Sequence, residues 1–206
     1  MIKNLILSIY SGLCIGLGGT VYLSCDNKIL GSFLFGLGLF TILNFGFNLF
    51  TGKVGYFVNN KPSYWGFLGI VWLGNFIGTF LFAKMIAATR YGATLQAKAD
   101  ALCLVKDGDS IVSLLVLGIF CGMPMFIAAD GYKNIENQVG KVVVVFLPVM
   151  VFILSGFEHC IADMFYFSLA GDFSALMLKT LIVITVGNSV GGGLIPLAWR
   201  FVPTRE

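Results

Sequence analysis

Long apolar stretches, each close to the length that carries a helix across a bilayer, constrain this chain more than any other feature. About 20 mostly apolar residues suffice for one crossing. Such stretches run over Leu5–Leu23, Ile29–Asn48, Tyr64–Ala88, Ile111–Ala129, Val142–Leu169 and Leu176–Trp199. Only 11% of the residues are charged, against about a quarter in a soluble domain. The expectation is a single all-α membrane domain over residues 1–206 with almost no soluble mass. The N-terminal MIKN followed by LILSIYSGLCIGLGG lacks an A-x-A cleavage site and reads as a retained first helix.

The stretch Pro148–Phe167 breaks the apolar pattern. In its middle stand Gly156, Glu158 and His159, the only histidine in the chain, followed by Asp163. An ionisable residue at membrane depth costs at least ~2.5 kcal/mol on insertion scales, so it marks a pathway or a site by default. Gly156 lets a helix break, and a broken helix is tolerated in a membrane only where its freed backbone is buried or lines a wet cavity. A helix–break–helix segment placing His159 beside a solute path is one reading. A surface loop, or a histidine satisfied in a packed bundle, is the other. The second span weakens similarly near Thr51-Gly52. The longest polar piece, residues 90–110, reads as partly helical around Leu95–Leu104.

Three landmarks recur in order. Gly12-Leu13-Cys14-Ile15-Gly16 answers to Gly118-Ile119-Phe120-Cys121-Gly122, Gly46-Phe47-Asn48 to Gly156-Phe157-Glu158, and Gly74-Asn75-Phe76-Ile77-Gly78 to Gly187-Asn188-Ser189-Val190-Gly191. Two units, about 5–90 and 111–200, of three spans each would be inverted relative to one another, which puts a solute path at their interface. Accidental glycine packing motifs are the alternative. Six spans place both termini on one side. The lysine and arginine distribution puts that side in the cytoplasm, with Lys3, Lys53, Lys61, Lys133, Lys141, Arg200 and Arg205 inside.

Several classes are disfavoured. The five cysteines are scattered without a CxxC, a single histidine leaves no HExxH or bis-histidine pattern, and no metal or other cofactor is expected. No basic run suggests nucleic acid. An intramembrane enzyme would need a nucleophile–base pair, and His159 and Cys160 are helix neighbours that do not face each other. A non-transporting scaffold gains little from repeated broken helices.

SGFEHCIADMF, LFTG after an apolar helix, and GNSVGGG near the end resemble the signatures of the formate/nitrite transporter family of anion channels. The likeness runs from Gly12 to Trp199. It implies an aquaporin-like fold of six helices with the second and fifth broken, a homopentamer with one pore per protomer, and a place in the inner (plasma) membrane with cytoplasmic termini. It puts His159, Thr51 and Asn188 at the pore centre, hydrophobic constrictions at Phe35, Leu39, Leu49, Phe50 and Phe152, and an anion-attracting lysine of the outer vestibule at Lys106. Read from residues alone, Asn75 and Asn188 tie helices together, and Glu158 either orients His159 or, the favoured reading, accepts backbone N–H groups freed at the break.

Two positions depart from the formate-channel pattern: Gly122 and Asp163 stand where those channels carry asparagine. Gly122 is expected to enlarge the vestibule wall, and both become candidates for selectivity. Within the family the chain is most like the hydrosulfide channel branch. The implied solutes are small weak-acid monoanions, hydrosulfide first, then formate, nitrite and chloride. They pass beside a histidine that either protonates them or only donates a hydrogen bond. A proton-coupled formate or nitrite transporter is the alternative.

Overall fold

The computed structural model describes residues 1–202; Arg205 lies outside the described residues. Among these, nine α-helices form the molecule: α1 (Ile2–Ser24), α2 (Lys28–Asn44), α3 (Phe50–Val54), α4 (Tyr64–Ala87), α5 (Gly92–Asp107), α6 (Ile111–Asn134), α7 (Gln138–Leu154), α8 (Cys160–Ala170) and α9 (Ala175–Trp199). A 3₁₀ turn over Gly55–Asn59 follows α3. Four helices, α1, α4, α6 and α9, are long and apolar enough to cross a membrane. The helices α2, α7 and α8 are apolar but shorter, because their parent stretches are interrupted.

The long helices pack in two pairs through glycines. On α1 and α4, a Cβ on Gly12 would lie 2.9 Å from the Gly78 Cα, and one on Gly74 would lie 2.5 Å from the Ser8 Cβ. Contacts advance together along both helices, so α1 and α4 run in the same direction. On α6 and α9, a Cβ on Gly118 would lie 3.2 Å from the Gly187 Cα, and one on Gly122 would lie 2.7 Å from the Gly192 nitrogen. Small residues let helix backbones approach within lipid, where no hydrophobic force draws helices together. This corrects the expectation for Gly122. Its missing side chain serves the α6–α9 contact and does not widen a vestibule.

Each of the two interrupted stretches breaks in the same way. Gly46 and Gly156 both adopt φ +68°, a left-handed conformation that glycine tolerates and L side chains resist. The Phe47 N–H donates to Ile42 O and the Phe157 N–H to Phe152 O, each at 2.9 Å. One residue later, Asn48 N–H donates to Leu7 O and Glu158 N–H to Leu117 O, each at 3.3 Å. The first break lies over residues 45–49, ahead of Thr51-Gly52, which fall within α3. The polar piece after α4 is helical from Gly92 to Asp107, longer than its composition suggested.

Candidate functional site: a threonine–histidine pair between two cavities

Both breaks are braced by a buried asparagine from a neighbouring long helix. Asn188 Oδ1 accepts the Cys160 N–H at 2.9 Å, while its Nδ2 donates to Gly118 O and Glu158 O at 2.8 and 2.7 Å. Asn75 does the same at the other break: Oδ1 accepts the Phe50 N–H, and Nδ2 donates to Ser8 O and Asn48 O, all at 2.8 Å. Every polar atom of either side chain is spent on backbone, two of the three bonds going to groups that the break would otherwise leave unpaired inside the bilayer and the third to a carbonyl of α6 or α1. Asn188 is therefore a brace with both amide atoms committed, rather than a free hydrogen-bonding group at the pore centre.

The braced breaks bring Thr51 and His159 together across 108 positions of sequence, with Thr51 Oγ1 2.9 Å from His159 Nε2. His159 is the N-cap of α8, and its Nδ1 accepts the Ala162 N–H at 3.0 Å. A nitrogen that accepts a backbone N–H carries no proton, so the neutral ring holds its proton on Nε2. Nε2 then donates toward Thr51, which leaves the threonine hydroxyl hydrogen free to point elsewhere. The imidazole stacks on Phe152 at 5.3 Å between ring centroids, and Phe152 meets Phe35 edge-on at 5.9 Å. All four side chains are buried.

Two cavities approach this pair from opposite ends of the bundle. One, about 210 Å³, is floored by Phe152, His159, Ala162 and Asp163 and reaches Lys106 and Tyr22, at the end where α1 finishes. The other, about 580 Å³, is floored by Leu39, Ile42, Leu49 and Gly52 and opens past Tyr64, Lys53 and Lys133, at the end where α4 begins. Because α1 and α4 run in the same direction, these are opposite ends. Phe35, Leu39, Leu49 and Phe152 thus sit between or at the floors of the cavities. Phe50 does not: its side chain lines an apolar groove between α4 and α9 with Trp65 and Trp72, because the first turn of α3 points it away from Thr51.

Lys106 departs from expectation. Its ammonium binds Glu158 Oε2 and, at 3.0 Å, Asp163 Oδ1. Burial alone would pull this ammonium down, but the Asp163 and Glu158 carboxylates outweigh it and hold Lys106 above the usual lysine range. Lys106 is consequently charged but already neutralised, which leaves it little capacity to attract a solute. Glu158 likewise spends its carboxylate on Lys106, while the N–H groups freed at its break go to Asn188, Leu117 and His159.

The charges that sequence reasoning missed lie in the other cavity. Lys53 and Lys133 line its wall, and no carboxylate pairs with either among the described residues. The nearby Asp130 is occupied by Tyr56 Oη at 2.9 Å and Asn134 Nδ2 at 2.8 Å. Lys133 lies 5.7 Å over the Tyr56 ring. The sequence signal was present, since Lys53 follows Thr51-Gly52 directly, but nothing in the sequence linked it to Lys133.

Comparison with known proteins places the fold and the family. The family model described as Formate/nitrite transporter matches residues 1–202. The chain belongs to that family. It is 27% identical to the formate channel FocA of Escherichia coli K12, over 94% of this chain and 84% of FocA. It is 26% identical to FocA of Haemophilus influenzae, over 90% and 81%. Among solved structures it superimposes on a pentameric formate channel with formate bound, with TM-score 0.81, 26% identity and coverage of 97% of this chain and 96% of that one. A second, an FNT family ion channel, gives TM-score 0.81 at 22% identity, over 98% and 89%, and speaks to fold alone. The chain is thus an all-helical membrane protein of a family of channels and transporters, not an enzyme.

Proposed function

We propose that this member of the formate/nitrite transporter family conducts small weak-acid monoanions, formate foremost, through a path that crosses the Thr51–His159 pair. The observation that carries this reading is the pair itself: two polar side chains, 2.9 Å apart, buried between apolar side chains where cavities from opposite ends of the bundle converge. The formate channels among its relatives support the choice of solute. Hydrosulfide stands as the second solute to test. Its support from Gly122 is gone, and Asp163 alone remains of the departures that suggested it.

In this reading α2 with α3, and α7 with α8, each complete one crossing. The six crossings form two inverted units, the termini are cytoplasmic, and five copies assemble in the plasma membrane. The paired breaks, with matched glycine conformations and matched asparagine braces, support the inverted repeat.

An anion gathers in the cavity lined by Lys53 and Lys133, whose positive potential raises its local concentration. It then meets an apolar barrier at Phe35, Leu39 and Phe152. A bare charge loses far too much hydration there to cross unaided. Nε2–H of His159, turned from Thr51, and the Thr51 hydroxyl hydrogen are the donors that meet the solute's oxygen atoms at this barrier. A neutral imidazole suffices for this, and its tautomer is set by the Ala162 cap.

The test is flux through proteoliposomes containing the purified protein, with formate, nitrite, hydrosulfide and chloride compared at two pH values. Formate flux above protein-free liposomes is the expected result. Hydrosulfide faster than formate would transfer the assignment to sulfide, and no flux of any of the four would overturn the reading.

A further inference from the structure

The cavity beneath Lys106 holds one more carboxylate than its charges balance. A single ammonium serves both Glu158 and Asp163. The three side chains are 12%, 9% and 2% exposed in the order Lys106, Glu158, Asp163. Asp163 Oδ2 is buried without a hydrogen-bond partner among the described residues, although Asp163 lines the cavity. With both carboxyls ionised the cluster would carry net charge −1, on a wall that a permeating anion has to pass.

Among the described residues no other group close by supplies a compensating positive charge. Cys103 faces the cluster from α5, Cys121 from α6, and Tyr166 from α8. Tyr22 of α1 lines the same cavity. All four are neutral when protonated. His159 is engaged at both ring nitrogens, and a proton on Nδ1 would confront the Ala162 N–H. Two carboxylates sharing one buried site do not both ionise readily, and the second retains a proton.

We propose that Glu158 and Asp163 share one proton and that this pair, not His159, passes it to the weak-acid anion in the cavity. The O–H bond of the carboxylic acid breaks as the anion takes the proton. The anion then moves toward Phe152 as a neutral acid, and the carboxylate left behind is reprotonated from vestibule water. In the opposite direction water in the other cavity protonates the anion, the neutral acid arrives past Phe152, and the pair, having released its own proton to vestibule water, takes the acid's proton. Transport is then one proton with each anion, and His159 stays a neutral hydrogen-bond donor throughout. This rests on the channel reading above.

The experiment follows formate uptake into proteoliposomes with a trapped pH dye and the membrane voltage clamped by potassium and valinomycin, corrected for protein-free liposomes. Wild type should acidify the lumen by one proton per formate, with flux indifferent to the clamped voltage. In D163N the proton should no longer accompany formate, with flux down at least tenfold or turned voltage-dependent, and D163E should restore coupling. Proton-coupled uptake at the wild-type rate in D163N would overturn the proposal, as would wild-type flux that carries no protons. Independently of flux, the infrared spectrum of wild type at neutral pH should contain a protonated carboxyl stretch that D163N lacks. Its absence in wild type would also overturn the proposal. Wild type that passes no formate but shows the band would leave the shared proton standing and remove the channel reading instead.

Discussion

At the scale of single residues, His159 does two jobs on its two nitrogens. Nδ1 caps α8 and Nε2 faces Thr51. Asparagine caps helices as well as any residue, so His159→Asn keeps the cap, while its shorter amide withdraws the donor that Nε2 presents toward Thr51. A hydrogen bond between neutral groups is worth about 0.5–1.5 kcal/mol. His159→Asn should therefore lower formate flux by roughly 3- to 10-fold while its melting temperature in detergent stays close to wild type. Flux within twofold of wild type would remove His159 from the path. The residue was legible as a site from sequence, being the one histidine beside a glycine in an apolar stretch. Its neutral tautomer was not legible, because the Ala162 N–H that sets it is positioned only by the break.

At the scale of elements, the breaks depend on asparagines that come from other helices. Asn188→Ala would strand the Cys160 N–H and the Glu158 carbonyl and remove the tie to Gly118 O of α6. Each buried polar group left unsatisfied costs about 1–3 kcal/mol, so the variant should yield much less folded protein by fluorescence-detected size exclusion. Asn75→Ala should behave alike, as it braces the other break. Gly122 belongs at this scale too. Restoring the formate-channel asparagine there would drive a side chain into the Asn188 carbonyl and Gly192 of α9, and overpacking typically costs about 1–3 kcal/mol. Gly122→Asn should lower thermal stability and leave the order of anion preference unchanged. A changed preference in a stably folded Gly122→Asn protein would return this position to the vestibule. The repeated glycine landmarks marked both breaks in the sequence. They did not reveal which groups the brace would satisfy, since that depends on three chain segments meeting at one point.

At the scale of the whole molecule, charge is distributed differently from the linear reading. The resemblance gave Lys106 an anion-attracting role in the vestibule, and it is closed into an ion cluster instead. Lys53 and Lys133, 80 positions apart, share one cavity wall. The double variant Lys53→Gln/Lys133→Gln should slow formate entry from that side several-fold at low ionic strength. The deficit should shrink as salt approaches ~1 M, where the screening length falls to about 3 Å. A deficit independent of salt would place their role in packing. Phe152→Ala should open the wall between His159 and Phe35, so that anions larger than formate gain flux relative to formate. Unchanged discrimination would put the filter elsewhere, at Phe35 or Leu39.

The sequence by itself determined the membrane character, the positions of the breaks to within a few residues, and His159 as the buried polar residue of one break. Each of these follows from local rules. Spans are read from length and apolarity, breaks from glycine, and sites from the cost of burying a polar group in lipid. The tertiary structure alone decided which polar groups are free and which are spent. It committed Asn188 and Glu158 to partners, gave Gly122 to the α6–α9 contact, turned Phe50 toward α4 and α9, and set two carboxylates on one lysine. A side chain's capacity to act depends on what already occupies its hydrogen bonds and its charge. Those occupants come from segments that only the folded chain brings together.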